Sequence, residues 1–183
     1  MTVVPLPRRL LAEFTGTALL VTAVVGSGIM AVKLSPDNVG LQLLENSTAT
    51  AFALGALILI FGPVSGAHFN PVVSAADWFL GRGTRTGITA TDLGGYVAAQ
   101  VLGGIAGAVL ANLMFNLDPV AWSHTRRLAG HLWLGEVVAT AGLILLIFAL
   151  AAPVARRWPR PWSAPTSAPP TGSRIRRASP TRR

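Results

Sequence analysis

The hydrophobic residues of this chain fall into long blocks separated by short polar segments. Four blocks, at residues 10–32, 43–64, 93–115 and 131–152, reach the length of about 20 residues that an α-helix needs to cross the apolar core of a bilayer. A shorter apolar stretch at 70–80 is about half a span long, which is typical of a re-entrant segment. The pattern therefore predicts an all-α integral membrane protein with four spanning helices and one half-helix.

Composition supports a membrane protein and excludes several other classes. Hydrophobic residues make up 51% of the chain and charged residues only 12%, whereas soluble domains carry about 25% charged residues. The absence of cysteine excludes disulfides, thiolate metal sites and cysteine nucleophiles. The net charge of +8 does not point to nucleic acid, because the basic residues lie at block ends and in the C-terminal tail, where membrane proteins carry them. The lipid bilayer is the expected surrounding.

The distribution of basic residues predicts the orientation, because cytoplasmic loops of membrane proteins are enriched in lysine and arginine. With residues 1–9 in the cytoplasm, three basic residues lie outside: Lys33, Arg126 and Arg127. The other twelve lie inside: Arg8, Arg9, Arg82, Arg85, Arg156, Arg157, Arg160, Arg174, Arg176, Arg177, Arg182 and Arg183. Without the tail beyond Arg160 the count is still seven against three. We therefore expect a multi-pass protein of the cell membrane with a cytoplasmic N-terminus and an extracellular loop at 116–130.

The first and fourth blocks resemble each other when one is shifted by 123 positions. The matched pairs are Leu11 with Leu134, Glu13 with Glu136, Thr17 with Thr140, Ala18 with Ala141 and Leu20 with Leu143. The two carboxylates are the most informative match, because an ionisable side chain inside a span is costly. We predict that residues 131–152 open a second repeat, inverted relative to the first at 10–115. Glu13 and Glu136 are then expected to be buried.

The segment 65–74, with the sequence SGAHFNPVVS, lies between the second block and the half-length one. Pro71 fits the first turn of a helix, where its missing N–H would have no partner, and Asn70 is a favoured cap immediately before it. If the Asn70 oxygen accepts from the first-turn amides, its NH₂ is left to donate into a cavity. The positive end of the half-helix dipole would oppose cations and protons at the same place.

The residues before this cap predict a loop that lines a cavity. Gly66 and Ala67 leave room for an extended backbone, and irregular backbone at membrane depth is tolerated where it lines water or protein. Their carbonyls would be acceptors for permeant molecules. His68 has two interpretations: its backbone carbonyl lines the pore, or its side chain caps or packs.

These residues resemble a known family. SGAHFNPVVS is similar to the first signature loop of aquaporins and aquaglyceroporins, the major intrinsic protein family, whose usual form is SGxHxNPAVT. The resemblance extends to AEFTGTALLV, with Glu13 where the family places a buried glutamate, and to AAQVLGG, with Gln100 at the family's glutamine. In the family both polar groups brace the re-entrant loops. The resemblance covers about residues 9–150.

The resemblance implies six spanning helices and two half-helices, a pore in each subunit of a homotetramer, and passive passage of water or small neutral solutes, with no cofactor and no enzymatic activity. Val72 departs from the usual alanine, which affects pore width at the motif. A gap-free count back from Asn70 puts Thr50 at the family's selectivity position on the second helix. A small residue there in place of an aromatic ring predicts passage of glycerol or neutral metalloid hydroxides.

Two other function classes were compared with a channel. An intramembrane enzyme would need a nucleophile with its base, or a metal with its ligands, and no histidine has a helical spacing from Glu13 or Glu136. An ion-coupled transporter could use these two glutamates as proton carriers.

The glycines at 103, 104 and 107 are expected to allow close helix contact.

The last segment, residues 153–183, is rich in Arg, Pro, Ser and Thr, which is typical of disorder. Channel architecture does not require such a tail. The codons of the tail can also be read in a shifted frame. If each codon's last base is joined to the first two of the next, the positions of 164–183 can spell GAYIGAAYWFTDSTSFANPA. This string resembles the family's fifth helix and second signature loop, with Thr181, Arg182 and Arg183 becoming Asn, Pro and Ala. We predict a reading-frame slip after about residue 152.

Overall fold

The computed structural model of the chain describes residues 4–83, 86–120 and 129–154. Its helices are α1 (Leu6–Leu34), α2 (Val39–Ser65), α3 (Pro71–Gly81), α4 (Ala90–Met114) and α5 (Gly130–Val154). All except α3 are long and apolar enough to span a membrane, which confirms the predicted all-α membrane fold. The predicted tail from residue 155 onward and most of the outer loop lie outside the described residues.

Polar caps set where the internal helices begin. The Asn38 side chain accepts from the amide of Leu41 at 3.0 Å at the start of α2, and the Thr89 hydroxyl accepts from the amide of Asp92 at 3.1 Å at the start of α4. These residues satisfy first-turn amides that have no partner within the helix. The half-helix α3 uses the same device with Asn70, as the sequence predicted.

Glycines bring α1 and α4 into close contact. A Cβ at Gly103 would overlap the backbone carbonyl of Phe14, and one at Gly107 would overlap that of Ala18. The Thr22 hydroxyl adds a hydrogen bond across the same interface, to the Gly107 carbonyl at 3.1 Å. The expected close contact is confirmed at these two glycines, and it allows α4 to present polar side chains directly to α1. Close backbone packing of this kind is how helices associate in lipid.

The last helix, α5, is covered by little of the described protein. Among the described helices it packs only against α3, and its apolar side chains, such as Leu145, are exposed. Glu136 is exposed as well, which corrects the prediction that it is buried. The physical reason is that no described helix packs over it.

Candidate functional site

The loop between α2 and α3 adopts a compact backbone rather than the extended one that the sequence predicted. Gly66, Ala67 and Phe69 have φ values of 93°, 53° and 48°, all in the left-handed region. Glycine adopts this region freely, but each of the other two residues costs on the order of 1–3 kcal/mol there. The surroundings explain this difference, because the amides of His68 and Phe69 both turn towards one acceptor group on α1.

That acceptor is the carboxylate of Glu13, which is 0% exposed. Its Oε1 accepts from the Ser65 hydroxyl at 2.6 Å and from the His68 amide at 3.0 Å. Its Oε2 accepts from the Phe69 amide at 2.8 Å and from the Gln100 side chain at 2.8 Å. Successive amides that converge on one anion form a nest, which offsets the cost of the left-handed residues.

The direction of these amides determines the direction of the loop carbonyls. The amide of Ala67 donates to the Ser65 hydroxyl at 3.2 Å, and the next two donate to Glu13. In a trans peptide the carbonyl points opposite to the amide of the following residue. The carbonyls of residues 67 and 68 therefore point away from Glu13, and the carbonyl of residue 66 points away from the Ser65 hydroxyl, which itself donates to Glu13.

All four partners of Glu13 donate to it. The amides and the Gln100 NH₂ are donors only, and the Ser65 hydroxyl, which accepts from the Ala67 amide, donates its proton to the carboxylate. Glu13 is therefore the acceptor group that braces the loop.

Gln100 links the carboxylate to the half-helix. It is 2% exposed, and its Nε2 also donates to the Ser74 hydroxyl at 2.9 Å. The Ser74 hydroxyl lies 3.0 Å from Nδ1 of His68. The ring of His68 therefore bonds within the protein, as one of the two interpretations from the sequence expected, and the other, that its carbonyl lines a pore, stays a prediction.

The start of α3 has the predicted cap geometry. The Asn70 Oδ1 accepts from the Val72 amide at 2.8 Å, and Pro71 is at the first position of the helix. The cap uses the side-chain oxygen, so the Asn70 NH₂ remains as a donor at the positive end of the half-helix. Val72 is 47% exposed at the same end.

The structure does not bring Thr50 to this loop. Thr50 lies on α2, 15 residues before Ser65 at the end of that helix, or about 22 Å along its axis. Its hydroxyl is covered and has no hydrogen-bond partner among the described residues. Thr50 and the loop are thus separate positions along the length of α2.

Three residues that sequence reasoning missed complete the site. The Tyr96 hydroxyl donates to the Ser65 carbonyl at 2.8 Å, and Tyr96 is 0% exposed. Arg9, which the sequence placed in the cytoplasmic N-terminus, is buried in α1 and pairs with Asp92 at 3.0 Å. The available signal was the spacing of Asp92, Tyr96 and Gln100, which at i, i+4 and i+8 share one helix face.

Comparisons with known proteins find similar sequences in one family. The family profile described as "Major intrinsic protein" matches residues 1–160. The chain is 50% identical over 144 residues to "Aquaglyceroporin AqpS" of Rhizobium meliloti (strain 1021), covering 79% of this chain and 59% of that protein. It is 35% identical to "Probable aquaporin TIP-type alpha" of Phaseolus vulgaris, over 79% of this chain and 56% of that protein. It is 32% identical to "Aquaporin-2" of Rattus norvegicus, over 78% of this chain and 51% of that protein. The chain thus spans a little over half the length of these relatives.

Proposed function

Because this chain belongs to the major intrinsic protein family, whose members are channels and not enzymes, we propose that it supplies the first half of a passive channel for water and small neutral solutes. The observation that supports this proposal best is the loop itself, in which the carbonyls of residues 67 and 68 point away from Glu13 and are followed in the chain by the cap residue Asn70. The proposed permeants include glycerol and neutral metalloid hydroxides.

In the proposed mechanism, a permeating molecule exchanges its hydrogen bonds to water for hydrogen bonds to fixed polar groups of the protein. A neutral hydroxylated molecule donates its hydrogen bonds to the row of carbonyls and accepts one from the Asn70 NH₂. The N-terminus of α3 adds a positive potential at the same point, so cations and protons are opposed while neutral solutes are not. Acceptors and donor stay in place because Glu13 and the cap of α3 hold the loop.

Three further parts of the proposal have separate support. The bias of basic residues supports a cytoplasmic N-terminus in the cell membrane. The resemblance to the family supports a homotetramer. The name of the similar Rhizobium protein, an aquaglyceroporin, together with Thr50 at the selectivity position, supports glycerol as a permeant.

The role of Asn70 is tested by Asn70→Asp in a complete channel, defined here as residues 1–152 continued by the second half of the Rhizobium aquaglyceroporin. The aspartate oxygen still caps α3, but the NH₂ donor is lost and a negative charge enters the path. We expect water and glycerol flux in proteoliposomes to fall at least about tenfold. This is the change that corresponds to the loss of a hydrogen bond of about 1.4 kcal/mol. Asn38→Asp makes the same change at the exposed cap of α2 and should leave flux unchanged. Equal flux and expression in both variants would refute the assignment.

The role of Thr50 is tested by Thr50→Phe in the same complete channel. The unmodified channel should pass glycerol and arsenite as well as water, because a threonine leaves a wider opening than a ring. The phenyl group should reduce glycerol flux strongly and water flux much less, as measured by stopped-flow light scattering. Ser47→Phe, on the exposed side of α2, is the matched control. Water flux without glycerol or arsenite flux in the unmodified channel would contradict the prediction.

A further inference from the structure

The proposed permeation path makes no use of a buried ion pair at the start of α1 and α4. Arg9 is 5% exposed and Asp92 9% exposed, and the two are joined at 3.0 Å. Charged groups are costly to bury in a membrane protein, and those that are buried are usually functional. The next residue along this face of α4 is Tyr96, whose ring centre lies 5.8 Å from the Arg9 guanidinium carbon.

Tyr96 satisfies a carbonyl that the loop has left without a helical partner. The Ser65 carbonyl would bond the amide of residue 69 if α2 continued, since helix bonds run from an amide to the carbonyl four residues earlier. That amide donates to Glu13 instead, and the preceding two donate to Glu13 and to the Ser65 hydroxyl. The Tyr96 hydroxyl takes the vacated place at 2.8 Å. Ser65 is therefore fixed by its side chain to α1 and by its carbonyl to α4.

The ion pair holds the tyrosine in this position. Asp92 lies in the first turn of α4, where a negative charge is favourable, and it pairs with the Arg9 guanidinium near the ring of Tyr96. A cation near an aromatic ring is attracted to it, and it also withdraws electron density, which makes the phenol a stronger donor. The contacts thus run without a break from Asp92 through Arg9 and Tyr96 to Ser65.

We propose that Tyr96, held by the Arg9–Asp92 ion pair, is a positioning residue that fixes the Ser65 carbonyl and thereby aims the carbonyls of residues 66–68 into the path. The expected effect of Tyr96 on flux rests on the proposed channel function. Its expected effect on the conformation of the loop does not. Loss of the hydroxyl leaves a buried carbonyl unpaired beside the two left-handed residues Ala67 and Phe69. The loop then opens more often, and its carbonyls no longer keep a fixed spacing.

The effect on the loop is measured by amide hydrogen exchange at residues 67–69, in the full 183-residue chain reconstituted in lipid nanodiscs. Tyr96→Phe should speed exchange of these three amides about fivefold to tenfold, as expected for loss of one buried hydrogen bond. Thr22→Val is the matched control, because it also removes one hydroxyl from the α1–α4 interface but lies away from the loop. In this variant the amides of residues 67–69 should exchange at the same rate as in the unmodified chain. Unchanged exchange in Tyr96→Phe, equal acceleration in both variants, or unprotected loop amides in the unmodified chain would each overturn the proposal.

A second variant covers the case in which Tyr96→Phe does not fold. Asp92→Asn keeps the shape of the side chain and removes the charge that holds Arg9, so it should accelerate the same three amides by a smaller factor of about twofold to fivefold. Exchange in the outer half of α4, near Ala111, should not change. Acceleration along the whole of α4 would show a general loss of packing and would contradict a positioning role.

The effect on permeation is measured as the ratio of glycerol to water flux in the complete channel defined above. A residue that only stabilises the fold lowers both fluxes together, whereas a shift of the carbonyls changes the ratio. We expect Tyr96→Phe to change this ratio at least about twofold and Thr22→Val to preserve it. An unchanged ratio overturns the proposed effect on the path. Faster loop exchange in a channel that conducts nothing, even unmodified, would instead overturn the proposed function while the positioning role stands.

Discussion

Glu13→Gln is expected to destabilise the chain strongly. Four donors converge on the carboxylate, and a glutamine offers one oxygen and one NH₂. Depending on how the amide is turned, one or two buried donors then face another donor, because the Ser65 hydroxyl can also accept. Each buried donor left without a partner costs about 1–3 kcal/mol, so the loss is about 1–6 kcal/mol, a large part of the stability of a typical domain. Thermal unfolding of the detergent-solubilised chain measures it.

The control for this prediction is Glu45→Gln, the same change at a glutamate on α2. Glu45 is only partly buried and accepts a hydrogen bond from the Ser35 hydroxyl at 2.9 Å, which an amide oxygen can also accept. We expect its unfolding temperature to stay within a few degrees of the unmodified chain. If Glu13→Gln unfolds at the same temperature as Glu45→Gln, the carboxylate is not what holds the loop.

The features that were predicted correctly from sequence are those that depend on local pattern. The four apolar blocks gave the spanning helices, and the short block with Asn70 and Pro71 before it gave α3 and its cap. Hydrophobic length and helix capping act within a few residues, so no knowledge of the tertiary structure was needed. The close contact at Gly103 and Gly107 could be predicted for the same reason, since small residues at helical spacing have one common use in lipid.

The features that were missed depend on which helices meet. The loop was expected to be extended because its glycine and alanine permit it, but the convergence of three amides on Glu13 and Ser65 selects left-handed residues. Arg9 was counted only as a basic residue of the cytoplasmic side, and its burial against Asp92 depends on the contact with another helix. Glu136 was expected to be buried by analogy with Glu13, yet burial requires neighbours, and the described residues provide none that cover it.

The 183-residue product is expected to show negligible solute flux in proteoliposomes, and flux should appear once a single base is added or removed between the codons for Ala151 and Trp158. The shifted frame can encode Asn-Pro-Ala at the positions of Thr181, Arg182 and Arg183, as a counterpart to Asn70-Pro71-Val72, and with it the second half-helix. The family profile matches residues 1–160, so the match ends within the Arg- and Pro-rich tail. A pore enclosed on all sides needs both re-entrant loops, because irregular backbone facing lipid is not tolerated.

The described half of the protein explains why restoring the frame should have so large an effect. His68 and Asn70 are only partly buried, so the row of carbonyls has protein on the α1 side but not all round, and α5 is covered by little besides α3. A second repeat would cover both. Adding three bases at the same place keeps the frame and is the control, which should remain without flux. Flux from the 183-residue product itself would contradict the prediction. A coding strand that cannot give Asn-Pro-Ala in the shifted frame would refute the frame slip, but it would leave the proposed role of the first half intact.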